Sequence, residues 1–511
     1  MPPLKSLSQI WEYEPLAMNN YYQYKRVLMF LACVMFVTLE TAIFYIMYSG
    51  EFMMLSRFHY YRRGHWAIVG IYVVLMVIFL VAFQGFRVGY LRNYDVLYSQ
   101  WISFMALNIV TYIELLLIGQ MKFMTAIVPV LKMTGVQMAI SFAWTICTRF
   151  AYARVYPPHQ MLLIYDEIDP SKLEEKLTRR GDKYQIKEKI ALSCGMAAVQ
   201  AKMQEYDTVL IGDIPAHERN HLMKYCYWYN IRCYVVPKLS DIMVTAASKI
   251  DLFDTPLFLS RNNGINFIQS AVKRLMDLTA GILGTIIASP IMLTIAIAIK
   301  AYDGGPVFYR QERVTKDGKL FKIFKFRSMI VESEKTGARL SSADDDRITP
   351  VGKIIRRTHF DELPQLFNII IGDMSLVGPR PERADIMEKY KNTIPEFPFR
   401  LKMKAGLTGY AQVYGQYNTT PYDKLKMDLT YIENYSLWLD FKICVFTVKI
   451  LFQKEKSEGV AAGSTDALGS NHIIKRNDAS YYDFRPFLED GETDSNDKQY
   501  KGEGHDDSTG V

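Results

Sequence analysis

The sequence predicts a membrane protein with three structured parts: an α-helical membrane bundle, a small Rossmann-like α/β domain, and a mixed, helix-rich C-terminal domain with a re-entrant membrane helix. Three features predict this: four apolar stretches near the N-terminus, an alternation of short apolar runs with amphipathic segments, and a fifth apolar stretch interrupted by Ser289-Pro290. The 511 residues exceed the size of one compact domain. Half are hydrophobic and 22% are charged, which is typical of a membrane protein with large water-facing parts.

The first part, residues 1–152, is predicted to be a bundle of four transmembrane helices. About 20 helical residues cross a bilayer core of about 30 Å, and four stretches have this length: Val27–Met47, Trp66–Phe86, Trp101–Met121 and Phe123–Thr148. Tyr and Trp crowd their ends, as at membrane interfaces. Lys and Arg are more frequent on one side of the bundle, which favours a cytoplasmic N-terminus and a cytoplasmic exit from the fourth helix.

The second part, residues 153–262, is predicted to hold a small parallel sheet. Short apolar runs alternate here with helical segments, and the predicted strands are Met161–Asp166, Thr208–Asp213 and Arg232–Pro237. The first strand runs into Asp166-Glu167 without a glycine-rich phosphate turn. A structural or regulatory insert is therefore favoured over a dinucleotide site, and a nucleotide-sugar oxidoreductase is the disfavoured alternative.

A fifth apolar segment, at about residues 271–301, opens the third part, residues 263–452. Its centre is Ser289-Pro290, and a proline inside a helix removes a hydrogen-bond donor and clashes with the preceding turn. We expect a break here that returns the chain to the side it entered, with Ser289 satisfying freed backbone groups. The alternative is a kinked fifth spanning helix, which would place the rest of the chain outside the cytoplasm.

The remaining residues, 453–511, are predicted to be a disordered acidic tail. From Asp483 onward the chain holds nine acidic and three basic residues, although its overall charge is +7. The basic charge of the rest favours phosphate-bearing substrates or anionic lipid headgroups. No nucleic-acid recognition motif accompanies it, so nucleic acid is not expected as a partner. The six cysteines show no metal-ligand spacing.

An acid pair in the third part is the main catalytic candidate. Thr349 is predicted to cap a short helix that ends at Arg357, and Pro364 suits the first turn of a second helix beginning at Asp361. Asp361 and Glu362 would then lie at a helix N-terminus, where a phosphoryl group can dock. The alternative is that Asp361 only caps the helix.

Several arginines surround this pair along the chain. The planar guanidinium group suits bidentate phosphate contacts, although any single arginine can be a solvated surface charge. Arg380 lies in a rigid Gly-Pro-Arg-Pro turn. The candidate phosphate-binding residues are Arg356, Arg357, Arg380, Arg313 and Arg327.

Four ordered motifs in this part resemble the bacterial sugar transferase family, the monotopic polyprenyl-phosphate phosphoglycosyl transferases. The resemblance covers about Asn266–Phe452, and the motifs are Gly305-Pro306-Val307-Phe308, Asp361-Glu362-Leu363-Pro364-Gln365, Gly372–Pro381 and Gly406-Leu407-Thr408-Gly409. With four preceding spans and an α/β insert, the chain is similar to the long members of the family that initiate exopolysaccharide synthesis.

The resemblance implies a reaction. A hexose 1-phosphate would pass from a UDP-sugar to undecaprenyl phosphate, giving UMP and undecaprenyl-diphosphate-sugar through a covalent aspartyl intermediate. Asp361 would be the nucleophile and Glu362 its partner, both at a Mg²⁺ ion, and the arginines would hold phosphates. The catalytic domain would face the cytoplasm at the bacterial inner membrane, with homodimerisation left open.

Three alternative interpretations remain, two for particular residues and one for the function of the whole protein. His359 could be a base, although a single histidine is more often a packing residue, and Asp344-Asp345-Asp346 is interpreted as a solvated loop rather than a metal site. A membrane scaffold or regulator of polysaccharide export that has lost catalysis is the alternative function.

Overall fold

The computed structural model describes residues 21–55, 62–118, 123–167, 170–260, 264–330, 347–415 and 419–451. The predicted tail and the run Asp344-Asp345-Asp346 lie outside these residues, so both interpretations stay predictions.

Four long helices form the N-terminal bundle. Each is long and apolar enough to cross a membrane, which confirms the four predicted apolar spans, and they are α1 (Tyr21–Met47), α2 (Arg62–Ala82), α3 (Asn93–Ile118) and α4 (Phe123–Val155). A π-helical turn, Tyr48–Phe52, extends α1. Aromatic side chains join the helices, as where Phe44 stacks on Tyr72 with ring centroids 3.7 Å apart.

The middle of the chain folds into a four-stranded parallel sheet with helices between its strands, as predicted. The strand order is β2-β1-β3-β4, and the elements are β1 (His159–Tyr165), α5 (Ser171–Thr178), β2 (Tyr184–Ala191), α6 (Met196–Met203), β3 (Thr208–Ile211), α7 (Ala216–Trp228), β4 (Arg232–Val235) and α8 (Leu239–Ala246). The strand β2 was not predicted from the sequence. This strand pairs only with β1 at the edge of the sheet, so its polar, partly exposed side chains lack the apolar run that marks the inner strands.

A hairpin and a long helix follow. The hairpin strands β5 (Ser248–Leu252) and β6 (Thr255–Leu259) are exposed along their whole length, and α9 runs from Phe267 to Asp303. The predicted break at Ser289-Pro290 is not observed, because α9 continues through Pro290. Proline at 290 cannot donate to the Ile286 carbonyl, and the Ser289 hydroxyl donates to that oxygen instead, at 2.8 Å.

The C-terminal domain packs around α9 and consists of short elements. An antiparallel hairpin and a two-stranded parallel sheet are covered by helices: β7 (Phe308–Val314), β8 (Leu320–Phe326), α10 (Pro350–Arg357), α11 (Gln365–Ile371), β9 (Ser375–Val377), α12 (Ala384–Thr393), β10 (Gly406–Thr408), α13 (Tyr410–Tyr414), α14 (Pro421–Glu433) and α15 (Leu437–Leu451). Gly281 and Gly284 of α9 face α11 closely, since a β-carbon at Gly281 would lie 3.1 Å from Ile370.

Both ends of α9 are bonded to this same domain. Near its start, the buried Lys273 ammonium lies 2.6 Å from Asp440 Oδ2 and donates to the Val377 carbonyl at 3.0 Å. At its end, Asp303 pairs with the buried guanidinium of Arg327. The helix is therefore anchored to one domain near both of its ends.

We expect Lys273→Met to lower the free energy of unfolding of this domain by about 3 kcal/mol or more, because it leaves Asp440 buried without its cation. The measurement is urea unfolding of the purified protein in lipid nanodiscs. Lys176→Met is the matched control, since the Lys176–Asp423 pair is largely exposed and is worth less than about 1 kcal/mol. Equal losses in the two variants would contradict the structural role given to Lys273.

Candidate active site

The acid pair lies on a tight turn between α10 and α11. The Thr349 hydroxyl caps α10 by accepting from Gly352 N at 2.9 Å, as predicted. After α10 the backbone of His359 adopts a left-handed conformation, with φ at 58°, and a 3₁₀ turn, Phe360–Glu362, follows. The predicted start of the second helix at Asp361 is wrong. Hydrogen bonds between residues three apart close the tighter turn first, and α11 begins only at Gln365.

Two cations from other elements bind Glu362. The Lys325 ammonium on β8 lies 2.7 Å from Glu362 Oε1 and 3.7 Å from Asp361 Oδ2. The Arg380 guanidinium donates to the same Glu362 oxygen at 2.9 Å. Glu362 is thus anchored on both sides, while Asp361 is engaged only at longer range by Lys325.

The two carboxyl groups have opposite pKa shifts. Burial raises the pKa of Asp361 and the nearby Glu362 carboxylate adds to this, although the positive charges of Lys325 and Arg356 partly oppose it. Burial would also raise the pKa of Glu362, but the positive charges of Arg380 and Lys325 outweigh it and hold that pKa well below its usual range. The site therefore contains one carboxylate whose charge is compensated by two cations and one carboxyl group with less compensation.

The five predicted arginines have different surroundings. Arg356 and Arg380 lie close enough to Asp361 to affect its electrostatics. Arg313 lies beside Arg380, and its guanidinium donates to the Pro381 carbonyl at 3.3 Å and to Gln311 at 2.6 Å.

The other two arginines do not join the acid pair. Arg357 is exposed at the end of α10. Arg327 is buried and pairs with Asp303 at the end of α9. A β-carbon at Gly305 would lie 2.2 Å from the Arg327 guanidinium, which explains the glycine in the first motif.

The turn that carries Arg380 is held rigidly from behind. The buried Arg400 guanidinium donates to the Arg380 carbonyl at 3.0 Å and lies 2.7 Å from Asp428 Oδ2. The backbones also approach closely, since a β-carbon at Gly378 would lie 2.3 Å from the Lys404 carbonyl oxygen. Glycine is therefore required at this position of the motif, and the Arg380 side chain projects from a fixed base.

Two functional candidates, Lys325 and Arg400, were not predicted from the sequence. Lys325 lies on β8, two residues before the candidate Arg327, and this proximity is the sequence signal that could have identified it. Arg400 carries no motif signal that we can identify. Its role depends on the fold, which brings it to the Gly378–Pro381 turn from a distant 3₁₀ helix.

Comparisons with known proteins match the part of the chain that carries this site. The family model described as Bacterial sugar transferase matches residues 268–454. A Bacillus subtilis protein, named as a candidate undecaprenyl-phosphate N-acetylgalactosaminyl 1-phosphate transferase, is 50% identical over 131 residues, 26% of this chain and 73% of that protein. The chain belongs to the bacterial sugar transferase family.

Two longer relatives in this sugar transferase family share less of their length with the chain. A UDP-glucose:undecaprenyl-phosphate glucose-1-phosphate transferase of Klebsiella pneumoniae is 43% identical over 204 residues, 39% of this chain and 42% of that protein. A UDP-N-acetylgalactosamine-undecaprenyl-phosphate N-acetylgalactosaminephosphotransferase of Aeromonas hydrophila is 37% identical over 256 residues, 48% of this chain and 59% of that protein. The chain thus spans about half the length of these curated relatives.

Because the two pKa shifts are opposite, replacing each carboxyl group by a neutral amide should change the stability of this sugar transferase in opposite directions. The depressed pKa of Glu362 contributes stability above its unfolded-state value and loses it as pH falls through the folded value. The raised pKa of Asp361 contributes stability below its unfolded-state value and loses it as pH rises through the folded value. Near neutral pH, we therefore expect Glu362→Gln to lower the melting temperature and Asp361→Asn to raise it.

Thermal unfolding of the purified protein at neutral and mildly acidic pH checks both signs. Glu362→Gln should cost roughly 1–3 kcal/mol, because it leaves Lys325 and Arg380 without their charged acceptor. Asp385→Asn is the control, since Asp385 forms an exposed pair with Arg383. A lower melting temperature in both acid-pair variants would contradict the opposite pKa shifts of Asp361 and Glu362.

Proposed function

We propose that the protein transfers a hexose 1-phosphate from a UDP-sugar to undecaprenyl phosphate, releasing UMP, as the first membrane step of exopolysaccharide or surface glycan synthesis. The observation that carries the proposal is the asymmetric acid pair, in which Lys325 and Arg380 neutralise Glu362 and leave the Asp361 carboxyl group available. The names of the relatives, all of which refer to undecaprenyl phosphate and a sugar phosphate, support the substrate class.

In the first step, an Asp361 carboxylate oxygen attacks the phosphorus that carries the sugar. The bond from that phosphorus to the oxygen bridging the two phosphates breaks, and UMP leaves with the bonding electrons. The product is an aspartyl-phosphosugar, a mixed anhydride of a carboxylic and a phosphoric acid. Arg380 and Arg356, both within electrostatic range of Asp361, stabilise negative charge on the phosphoryl oxygens.

In the second step, an oxygen of undecaprenyl phosphate attacks the same phosphorus. The bond to the Asp361 oxygen breaks, which regenerates the carboxylate and gives undecaprenyl-diphosphate-sugar. Glu362 keeps Lys325 and Arg380 in place through both steps, because it binds both cations through one oxygen. Arg313 supports the Arg380 turn through the Pro381 carbonyl.

The acid pair also fits a Mg²⁺ ion. Mg²⁺ is usually held by one or two carboxylates together with substrate phosphates and water, rather than by a full protein cage. Within the described residues no group of three or more His, Cys, Asp and Glu side chains is arranged to hold a metal, so binding of the ion would depend on the acid pair together with the substrate phosphates. Asp361 and Glu362 would hold the ion, and its charge would neutralise the donor phosphates.

We further propose that α9 enters the membrane, bends at Pro290 while remaining one continuous helix, and returns to the cytoplasmic face of the bacterial inner membrane. Lys273 at its start and Asp303 at its end both bond to the same domain, which supports re-entry over a crossing. Exposed apolar side chains on its central part can face lipid: Leu283, Ile286, Ile287, Leu293 and Ile297. Leu363, next to the acid pair, packs near this helix, so a lipid-borne phosphate can reach Asp361.

The other proposed units are a transmembrane bundle over residues 1–152 and a Rossmann-like domain over residues 153–262. The parallel strand order β2-β1-β3-β4 and the helices that connect these strands support the assignment of the Rossmann-like domain.

We expect Asp361→Asn to lower UMP release at least about 10³-fold, because it removes the nucleophile. The assay uses membranes with undecaprenyl phosphate and a panel of UDP-sugars, with and without Mg²⁺. Asp385→Asn is the matched control and should retain wild-type turnover. Release of UDP instead of UMP would refute phosphosugar transfer, and equal activity of Asp361→Asn would refute the nucleophile. No turnover of folded wild type with any donor would favour a scaffold.

Re-entry predicts that both ends of α9 are reached from the cytoplasm. In a cysteine-free background, Phe267→Cys and Tyr302→Cys should react with a membrane-impermeant maleimide only after cells are permeabilised. Both native side chains are exposed, so the substitutions disturb little packing. Met54→Cys, at the other end of α1, should react in intact cells and serves as the control. Labelling of one α9 end in intact cells would identify a spanning helix instead.

A further inference from the structure

A buried carboxyl group lies near the middle of the N-terminal bundle. Glu40 of α1 is fully buried, with 0% of its surface exposed, and within the described residues neither of its carboxylate oxygens has a hydrogen-bond partner. An ionisable side chain inside a membrane bundle is costly and usually functional. The proposed transfer reaction makes no use of it.

Aromatic contacts define which residues surround Glu40. One helical turn before it, Phe36 stacks on Trp144 with ring centroids 4.5 Å apart and meets the edge of Phe104 at 6.1 Å. One turn after it, Phe44 stacks on Tyr72. Glu40 therefore points into the space between α2, α3 and α4, on the same face of α1 as these two rings.

Polar side chains from the other three helices lie at this level. Asn108 follows Phe104 by one turn on α3, which runs parallel to α1. Asn108 Nδ2 donates to Thr134 Oγ1 and to Gln137 Oε1, both at 2.8 Å, and Gln137 Nε2 donates to the Tyr72 hydroxyl at 2.6 Å. All these residues are near the midpoints of their helices, which places the layer at the centre of the proposed membrane span.

Several oxygen atoms at this level lack a hydrogen-bond partner among the described residues. Asn108 uses both of its N–H groups within the layer, on Thr134 and Gln137, and Gln137 Nε2 donates to the Tyr72 hydroxyl. Among the described residues, Asn108 Oδ1 and the buried Thr111 hydroxyl remain without a hydrogen-bond partner, like both oxygens of Glu40. The ammonium group of Lys132 on α4 lies 3.2 Å from the Glu51 carboxylate, in the π-helical turn that follows α1.

We propose that this layer binds a small monovalent cation, for which Na⁺ is the probe, between α1 and α3. Glu40 supplies one negative charge, and Asn108 and Thr111 supply neutral oxygen ligands of the kind that hard cations prefer. A single carboxylate matches a single positive charge, which argues against a divalent ion. The inference rests on the membrane placement proposed above, and it is independent of the transfer chemistry.

The cation would join α1 across the centre of the bundle to α3, the helix to which the C-terminal domain is docked. The buried Lys449 ammonium of α15 donates to the Asp95 carbonyl and to the Ser99 hydroxyl of α3, both at 2.8 Å. Ion binding in the bundle would therefore stabilise the helix that carries this contact.

The test measures the melting temperature of the full-length protein in nanodiscs in NaCl, KCl and choline chloride at equal ionic strength. We expect Na⁺ to raise the melting temperature of the wild type in a concentration-dependent way, as for any ligand that binds only the folded state. Glu40→Gln should abolish the response. Thr111→Val, which replaces one hydroxyl by a methyl group, should raise the Na⁺ concentration for half-effect about tenfold.

Two controls separate this site from others. Glu51→Gln removes a carboxylate at the far end of the same helical segment and should keep the wild-type response to Na⁺. Asp361→Asn should also keep the wild-type response to Na⁺. The test of the cation site therefore does not depend on whether the transferase proposal is correct. Equal melting temperatures of the wild type in all three salts, or an unchanged Na⁺ response in Glu40→Gln, would overturn the proposal. Radioactive Na⁺ bound by wild type and not by Glu40→Gln would support it directly.

Discussion

Attachment of α9 to one domain at both of its ends is the constraint on which the rest of the catalytic architecture depends. The Lys273–Asp440 pair is buried and also bonded to the β9 backbone through Val377, so it joins the helix to the sheet and to α15 together. At the other end, Asp303 fixes Arg327 directly after β8. Everything between these anchors, including α11 and the acid turn, packs on a helix whose position is already determined.

The acid turn shows how neighbouring carboxylates acquire different roles from their surroundings alone. Glu362 faces two cations that arrive from separate elements, β8 and the Gly378–Pro381 turn. Arg400 and the close backbone contacts hold the backbone of that turn, and the Arg380 guanidinium donates to Glu362. Asp361 consequently keeps a buried carboxyl group whose charge is only partly compensated by nearby cations.

The sequence correctly predicted those elements whose formation depends on residues close together along the chain. Apolar length identified the four long helices of the bundle, and Thr349 identified the start of α10. Features that depend on tertiary partners were not predicted. The edge strand β2 has little apolar character, and the ion pair between Arg327 and Asp303 exists only in the folded chain. The predicted helix break is not observed, because the Ser289 hydroxyl donates to the carbonyl oxygen that Pro290 leaves without a backbone donor.

The links between the C-terminal domain and the rest of the chain differ in strength, and this difference determines what positions the domain. Lys176 of α5 reaches Asp423 of α14 at 2.9 Å, but both side chains are substantially exposed, so water and salt screen the pair. Lys449 is buried against the first turns of α3 and satisfies its donors there. Since a buried ammonium without partners would be far more costly than an exposed one, the contact with α3 constrains the domain more than the α5 contact does. Leu239 and Ile242 of α8 are in addition buried in the same apolar core as Leu425 and Leu429 of α14, so the bundle and the middle part of the chain together position the C-terminal domain.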